Sequence, residues 1–201
     1  TITANDINIT YGTGWTLVTG DVTITSGALN SGDSLSNITL SLGSTANNNG
    51  LANGRLGFGV YTITASSAEI TDSAAVDNSA NYEITYMTGS LTVSTKLLTI
   101  TAGNQSSTYG STKNLGTTSF TSVGLINSDS VSNVGLKVDG KNLVSARTNA
   151  GTYTIVASSV RGSGLQNYTI EYQPGSFVVS PRALTITASL QTSVYGAIKN
   201  L

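Results

Sequence analysis

The 201-residue chain carries 9 Lys and Arg against 10 Asp and Glu, a net charge of −1, with no Cys and no His. Charged residues make up 9% where soluble domains average about 25%, so there is no basic stripe for nucleic acid. The missing Cys and His exclude disulfides, zinc-thiolate sites and the common nucleophilic triads, and no run approaches the ~18 apolar residues of a membrane-spanning helix.

The chain opens on Thr-Ile-Thr-Ala at 1–4, a strand signal, followed by Tyr11-Gly12 and then Trp15 beside Gly14. β-Branched residues and Tyr dominate from there on, turns carry Gly, Asn, Asp and Ser, and no window holds a sustained helical period. Asp33 precedes Ser34 in a polar segment, and a long Asn- and Gly-rich stretch covers 45–54. Tyr61, Ile63 and Ala65 then alternate with Thr62 and Thr64. Period 2 with hydroxyls on the other face is a half-buried strand, so the Tyr-Ile-Ala set faces the core. The polar loop 69–80 holds Asp72, Asp77 and Asn78, and Asn-Tyr-Glu-Ile-Thr-Tyr begins at Asn81.

Past Ser94-Thr95-Lys96-Leu97 the same order returns. Thr-Ile-Thr-Ala recurs at 99–102, Tyr109-Gly110 follows, and Asp129 again precedes a Ser. The segment 124–132 has room for one short helix. Tyr153, Ile155 and Ala157 repeat the alternating strand, and Asn167-Tyr168-Thr169-Ile170-Glu171-Tyr172 repeats the next block. Both copies of that block, 81–94 and 167–180, read as a hairpin. Pro174-Gly175 suits the centre of a type II turn, where Pro presets φ and Gly takes the positive φ. A third start comes at 185–188 with Tyr195-Gly196.

Tyr11 and Tyr109 are 98 residues apart, Tyr109 and Tyr195 are 86 apart. The excess of the first unit falls in polar loops around fixed strands, as a folded repeat predicts. The expected domains are 1–95, 96–181, and 182–201 as the first strands of a truncated third repeat, the chain being a piece of something longer. Only two or three residues join one unit to the next, far short of a flexible linker, and Pro181 stiffens the second junction. The units are therefore expected end to end with little hinge motion.

These residues resemble the MBG-type repeat of very large bacterial surface and secreted adhesins. The pattern is an L-T-I-T-A strand, Tyr-Gly, G-L-x-N-x-D-S, G-x-Y-T-I-x-A, and N-Y-x-I-x-Y-x-x-G-S-x-x-V-S with a short Pro link. The second unit carries it in full, at 98–102, Tyr109-Gly110, 124–130, 151–157 and 167–180. The first departs modestly, reading as one inserted residue in 27–34 and Thr95-Lys96 in place of the Pro link. The resemblance implies a tandem β module in an exported, hemagglutinin-like exoprotein, at the bacterial cell surface or outside it, with no catalytic role.

The fold expected is all-β, as compact sandwich-like or β-grasp-like modules arranged end to end. A parallel β-helix is the rival, but its coil period of about 20 residues is absent. No catalytic, cofactor or membrane site is expected. A Ser-Lys pair finds no support from Lys137 and Lys141, which sit in polar or turn contexts, and Glu83 and Glu171 point away from their Tyr neighbours into solvent. Asp33 and Asp129 recur in register and read as turn caps rather than calcium ligands, since no run of further oxygens surrounds them. Asp72, Asp77 and Asn78 form a slightly denser oxygen cluster and are the weak calcium candidates. The Tyr-Gly pairs read as Tyr packed over the core edge with Gly allowing the bend. Trp15 is either a local plug or a contact for sugar or protein.

Three functions follow. The first is a stiff repeat segment of an adhesin or biofilm-matrix exoprotein. The second is a self-assembling fibre, sheath or surface-layer protein. The third is a glycan-binding module. The partners expected are other copies or neighbouring repeats, with surface glycans or host and matrix components as further candidates.

Overall fold

A computed structural model describes residues 1–44, 51–52 and 55–196. The chain is all-β, and among the described residues helical structure is limited to three short 3-10 turns at Thr19–Asp21, Ser79–Asn81 and Leu165–Asn167. The first unit runs β1 (Ile2–Ala4), β2 (Ile7–Thr10), β3 (Val22–Ile24), β4 (Ser34–Ser44), β5 (Leu51–Ala52), β6 (Arg55–Leu56), β7 (Gly59–Thr71), β8 (Tyr86–Met87) and β9 (Gly89–Ser94). The second runs β10 (Lys96–Ala102), β11 (Gln105–Thr108), β12 (Lys113–Asn114), β13 (Phe120–Val123), β14 (Ser130–Lys137), β15 (Leu143–Val144), β16 (Gly151–Ser163), β17 (Tyr168–Gln173) and β18 (Gly175–Ser180). The long loop of the first unit, 45–54, lies largely outside the described residues.

Each unit packs a three-stranded sheet on a four-stranded one. The orders are β3-β1-β8 with β2-β9-β7-β4, and β13-β10-β17 with β11-β18-β16-β14. The sandwich-like expectation holds, and the β-grasp one fails because among the described residues no helix lies on either sheet. Tyr61, Ile63 and Ala65 face inward, as do Ile155 and Ala157, while Thr64, Thr154 and Val156 face out. The long strands β7 and β16 each kink where their pairing slips, against Asn37 and Asn133. Ser67 and Ser159 sit at matched places with φ of 50° and 51°, a bulge geometry that bends the strand across the core. The second Tyr of each Asn-Tyr-x-Ile-x-Tyr block serves this bulge. Tyr86 Oη accepts from the Ala68 N–H at 2.9 Å and Tyr172 Oη from the Val160 N–H at 3.2 Å.

The expected hairpins are not formed. β8 pairs in parallel with β1, and β17 with β10, whereas β9 and β18 belong to the opposite sheet, beside β7 and β16. The chain steps from one sheet to the other at Thr88-Gly89 and at Pro174-Gly175. It makes a second such step at Asn5-Asp6 and at Gly103-Asn104. The two crossings are tied together, because Asp6 accepts from the Ser90 N–H at 2.8 Å and Asn104 from the Ser176 N–H at 2.8 Å. Gly175 therefore does not take the positive φ of a type II turn. Its role is close approach: a Cβ there would press on the Ala102 carbonyl, as one at Gly89 would on Ala4.

One further expectation is corrected, and one is located. The segment 124–132 holds no helix, because Asn127 and Ser128 are both left-handed, with φ of 57° and 64°, and reverse the chain into β14. The extra length of the first unit in this region falls before Asn30, since Asn30 and Ile126 occupy the same place, each donating its N–H to the Tyr that opens the later block, while Ile24 and Ser122 are matched at the preceding strand. Residues 181–196 contain no strand, and Leu184 and Ile186 are exposed. In β10 the matching residues are held by β13 and β17; no such strands lie beside 184–188 among the described residues.

Candidate functional site: the clasp between the repeats

A single residue, Thr95, separates β9 from β10, and most of the buried core of the two units forms one continuous cluster, with Ile2, Ile38 and Ala65 apart from it. The bridge between them starts in the Tyr-Gly turn. β2 runs parallel to β9, and at its end the Tyr11 N–H donates to the Ser94 carbonyl at 2.8 Å while Thr13 N–H closes on Thr10 at 2.9 Å. Gly12 turns the chain with φ of 89°, a conformation that an L side chain resists. It also lies flat on the second unit, where an added Cβ would run into Ile126 Cδ1.

Tyr11 itself is carried out of its own unit and into the next. It is 1% exposed, its ring meets Tyr168 edge to face with centroids 5.5 Å apart at 81°, and its hydroxyl donates to Asp129 Oδ2 at 2.9 Å. Tyr168 donates to the same oxygen at 2.8 Å. Two phenols thus share one carboxylate oxygen, an arrangement in which each bond is strengthened by the full charge on the acceptor. Tyr168 Oη in turn accepts the Ile126 N–H at 3.0 Å. Gly164, at φ of 71°, makes room for the carboxylate, which a Cβ would strike. Beside the phenols the Phe58 N–H reaches across to Asn167 Oδ1 at 2.9 Å, and Asn167 is fully buried. At the rim the Thr95 and Thr169 hydroxyls meet at 2.6 Å.

The electrostatics follow from burial. Loss of solvent pushes the Tyr168 phenol up to about 12, helped by the adjacent Asp129 charge and opposed by the Ile126 N–H. Tyr11 is raised for the same first reason, with the Asn127 and Asn167 amides opposing. Both phenols therefore stay protonated, as donors, across the ordinary pH range.

The first unit repeats this constellation at its far end. Tyr82 donates to Asp33 Oδ2 at 2.6 Å, its hydroxyl accepts the Asn30 N–H at 2.9 Å, and Asn78 Nδ2 donates to Asp33 Oδ1 at 2.8 Å. The Tyr82 and Asn78 donors hold the Asp33 carboxyl below the usual carboxylate range.

The sequence-derived candidates fall around this frame. Asp33 and Asp129 are not turn caps but acceptors for tyrosines, and the recurrence of Asp and Asn-Tyr in the same order is the signal for it. Asp72 accepts from the Ala74 and Val76 N–H groups, Asp77 from Ser79, and Asn78 is turned toward Asp33. The two Asp carboxylates are thus engaged in separate turns, and among the described residues no three acidic, His or Cys side chains gather where an ion would sit. Trp15 is half-buried and packs on the core cluster. Glu83, Glu171, Lys137 and Lys141 are exposed. Tyr11 lies over a core edge, but the burial comes from the following unit. Tyr109 and Tyr195, with turn glycines at φ of 91° and 84°, are 44% and 105% exposed.

The model of the MBG domain, YGX type, matches residues 1–92 and again 98–178. The chain belongs to the MBG domain family. The Tyr-Gly-x triplet stands in both matched stretches, as Tyr11-Gly12-Thr13 and Tyr109-Gly110-Ser111, and in the first it is the part of one MBG domain that enters the next. No curated protein and no solved structure matches the chain.

Proposed function

We propose that this pair of MBG domains is a stiff repeat segment of a large exported bacterial surface protein, an adhesin or matrix exoprotein, giving reach and surface without catalysis. The domains proposed are 1–95 and 96–181, with 182–201 opening a third. The observation that carries the reading is the shared-carboxylate clasp of Tyr11, Tyr168 and Asp129. A one-residue connection alone limits separation but not rotation; a buried, charge-assisted contact beside it limits both. Family membership supports a repeat segment of a surface protein, and the low charge of the chain, 9% of its residues, suits a spacer that does not attract its neighbours. The partial burial of Trp15 against the core cluster favours the spacer over the glycan-binding reading.

The test is a distance distribution across the junction. Because the chain has no Cys, cysteines introduced at the exposed Thr64 and Thr154 take a spin-label pair without interference. A single narrow distribution is expected, broadening in Tyr11→Ala with both units still folded. A broad distribution in the unmutated background would remove the stiff-spacer reading.

A further inference from the structure

The clasp has two surfaces, and this chain carries a second, unjoined set of each. The turn surface of the second unit is built like that of the first. Tyr109 N–H donates to the Ser180 carbonyl at 2.9 Å, as Tyr11 does to Ser94 at 2.8 Å, and Ser111 N–H closes on Thr108 at 3.0 Å, as Thr13 does on Thr10 at 2.9 Å. Gly110 has φ of 91° against 89° for Gly12. Tyr153 donates to the Asn149 carbonyl at 3.0 Å where Tyr61 donates to Gly57 at 2.9 Å. This puts Ala150 in the position of Phe58, whose N–H crosses the observed junction.

The receiving surface is likewise preformed in the first unit. Asp33, Tyr82, Asn30 and Asn81 stand where Asp129, Tyr168, Ile126 and Asn167 stand in the second, with the same Tyr-to-Asp and N–H-to-Tyr bonds. A recess beside it is lined by Ile2, Ile24, Leu29, Tyr82 and Ile84. The surfaces keep their geometry in the unjoined state, so joining them requires little reordering.

We infer that Tyr109-Gly110 of one copy of this chain docks on the Asp33–Tyr82 pair of a second copy, head to tail, with the geometry of the internal clasp. Tyr109 donates to Asp33 and sets its ring on Tyr82, Gly110 lies against Asn30, and the Ala150 N–H meets the Asn81 side-chain oxygen. The exposed Arg182, now beside Gly110, swings aside. The contact is heterologous, joining two unlike surfaces, so each copy added to an open chain presents a fresh end. It stands whether or not the larger protein is an adhesin, because it rests only on the repetition of the two surfaces.

Sedimentation of the full chain up to ~1 mM, the range of effective concentration a short tether supplies, tests it. The weight-average mass is expected to climb without a plateau, reaching about twofold or more. Tyr109→Ala removes the turn, and Asn30→Arg blocks the receiving surface without touching the Asp33–Tyr82 bonds; each alone is expected to be monomeric with native amide dispersion. Mixed, they retain one good surface each and are expected to form a dimer that does not grow. Tyr195→Ala is expected to associate like the unmutated chain. A chain that stays monomeric throughout overturns the inference. So does undiminished association of Tyr109→Ala or Asn30→Arg, or a mixture that fails to dimerise.

Discussion

At the scale of single residues, the junction depends on a carboxylate and on a missing side chain. Asp129 accepts two phenolic hydrogens at one oxygen, and Gly12 supplies both a left-handed backbone and bare surface against Ile126. Gly110 shares the first property alone, since its nearest neighbour is the end of the flexible Arg182 side chain. The two glycines are therefore expected to respond differently to alanine. Gly110→Ala adds backbone strain of about 1–2 kcal/mol. Gly12→Ala adds the same strain plus overpacking at Ile126, for about 2–5 kcal/mol in all. Urea denaturation of the two variants separates them, and equal losses would contradict the packing assigned to Gly12.

At the scale of elements, the distinctive device is the strand that changes sheets. β8 to β9 and β17 to β18 step across the sandwich at a glycine pressed against the backbone of the other crossing strand. Gly175→Ala is expected to destabilise the second unit by about 1–3 kcal/mol through this contact, a typical overpacking cost. Pro174→Thr is expected to be within about 0.5 kcal/mol of neutral at a surface site, since the first unit makes the same step with Thr88. Thermal unfolding of both variants checks this, and the reverse order would restore a turn-centred role for Pro174. The alternating strands β7 and β16 were legible from their Tyr-Ile-Ala faces. The crossings were not, because Pro-Gly between two extended runs reads locally as a hairpin, and only the identity of each run's partner strand distinguishes a turn from a step.

At the scale of the whole molecule, the clasp joins most of the buried core of the two domains into one cluster. One calorimetric transition is expected for the joined pair, splitting into two in Asp129→Asn, which weakens the acceptor of both phenols. Alkaline pH acts on the same bond. Tyr168 is held at about 12 in the folded chain against an ordinary 10.0, so its contribution is complete below about pH 10. That contribution is lost as pH rises through about 12, when the unfolded chain ionises first. Denaturant midpoints measured from pH 8 to 12 are expected to hold up to about pH 10 and fall above it. The fall should be shallower in Tyr168→Phe, and an equal fall in that variant would count against the assignment.

The sequence by itself determined the all-β class, the two-fold repetition, the inward faces of the long strands and the brevity of the junction. Each of these rests on local alternation, composition or recurrence, which a chain displays without being folded. Only the tertiary structure decided what the recurring Tyr-Gly, Asp and Asn-Tyr motifs do, because their partners lie far away in the chain. Tyr11 and Asp129 are 118 residues apart. Within one unit the motifs look like an exposed turn and a turn cap. Set one unit against the next, and the tyrosine of the first completes the carboxylate site of the second.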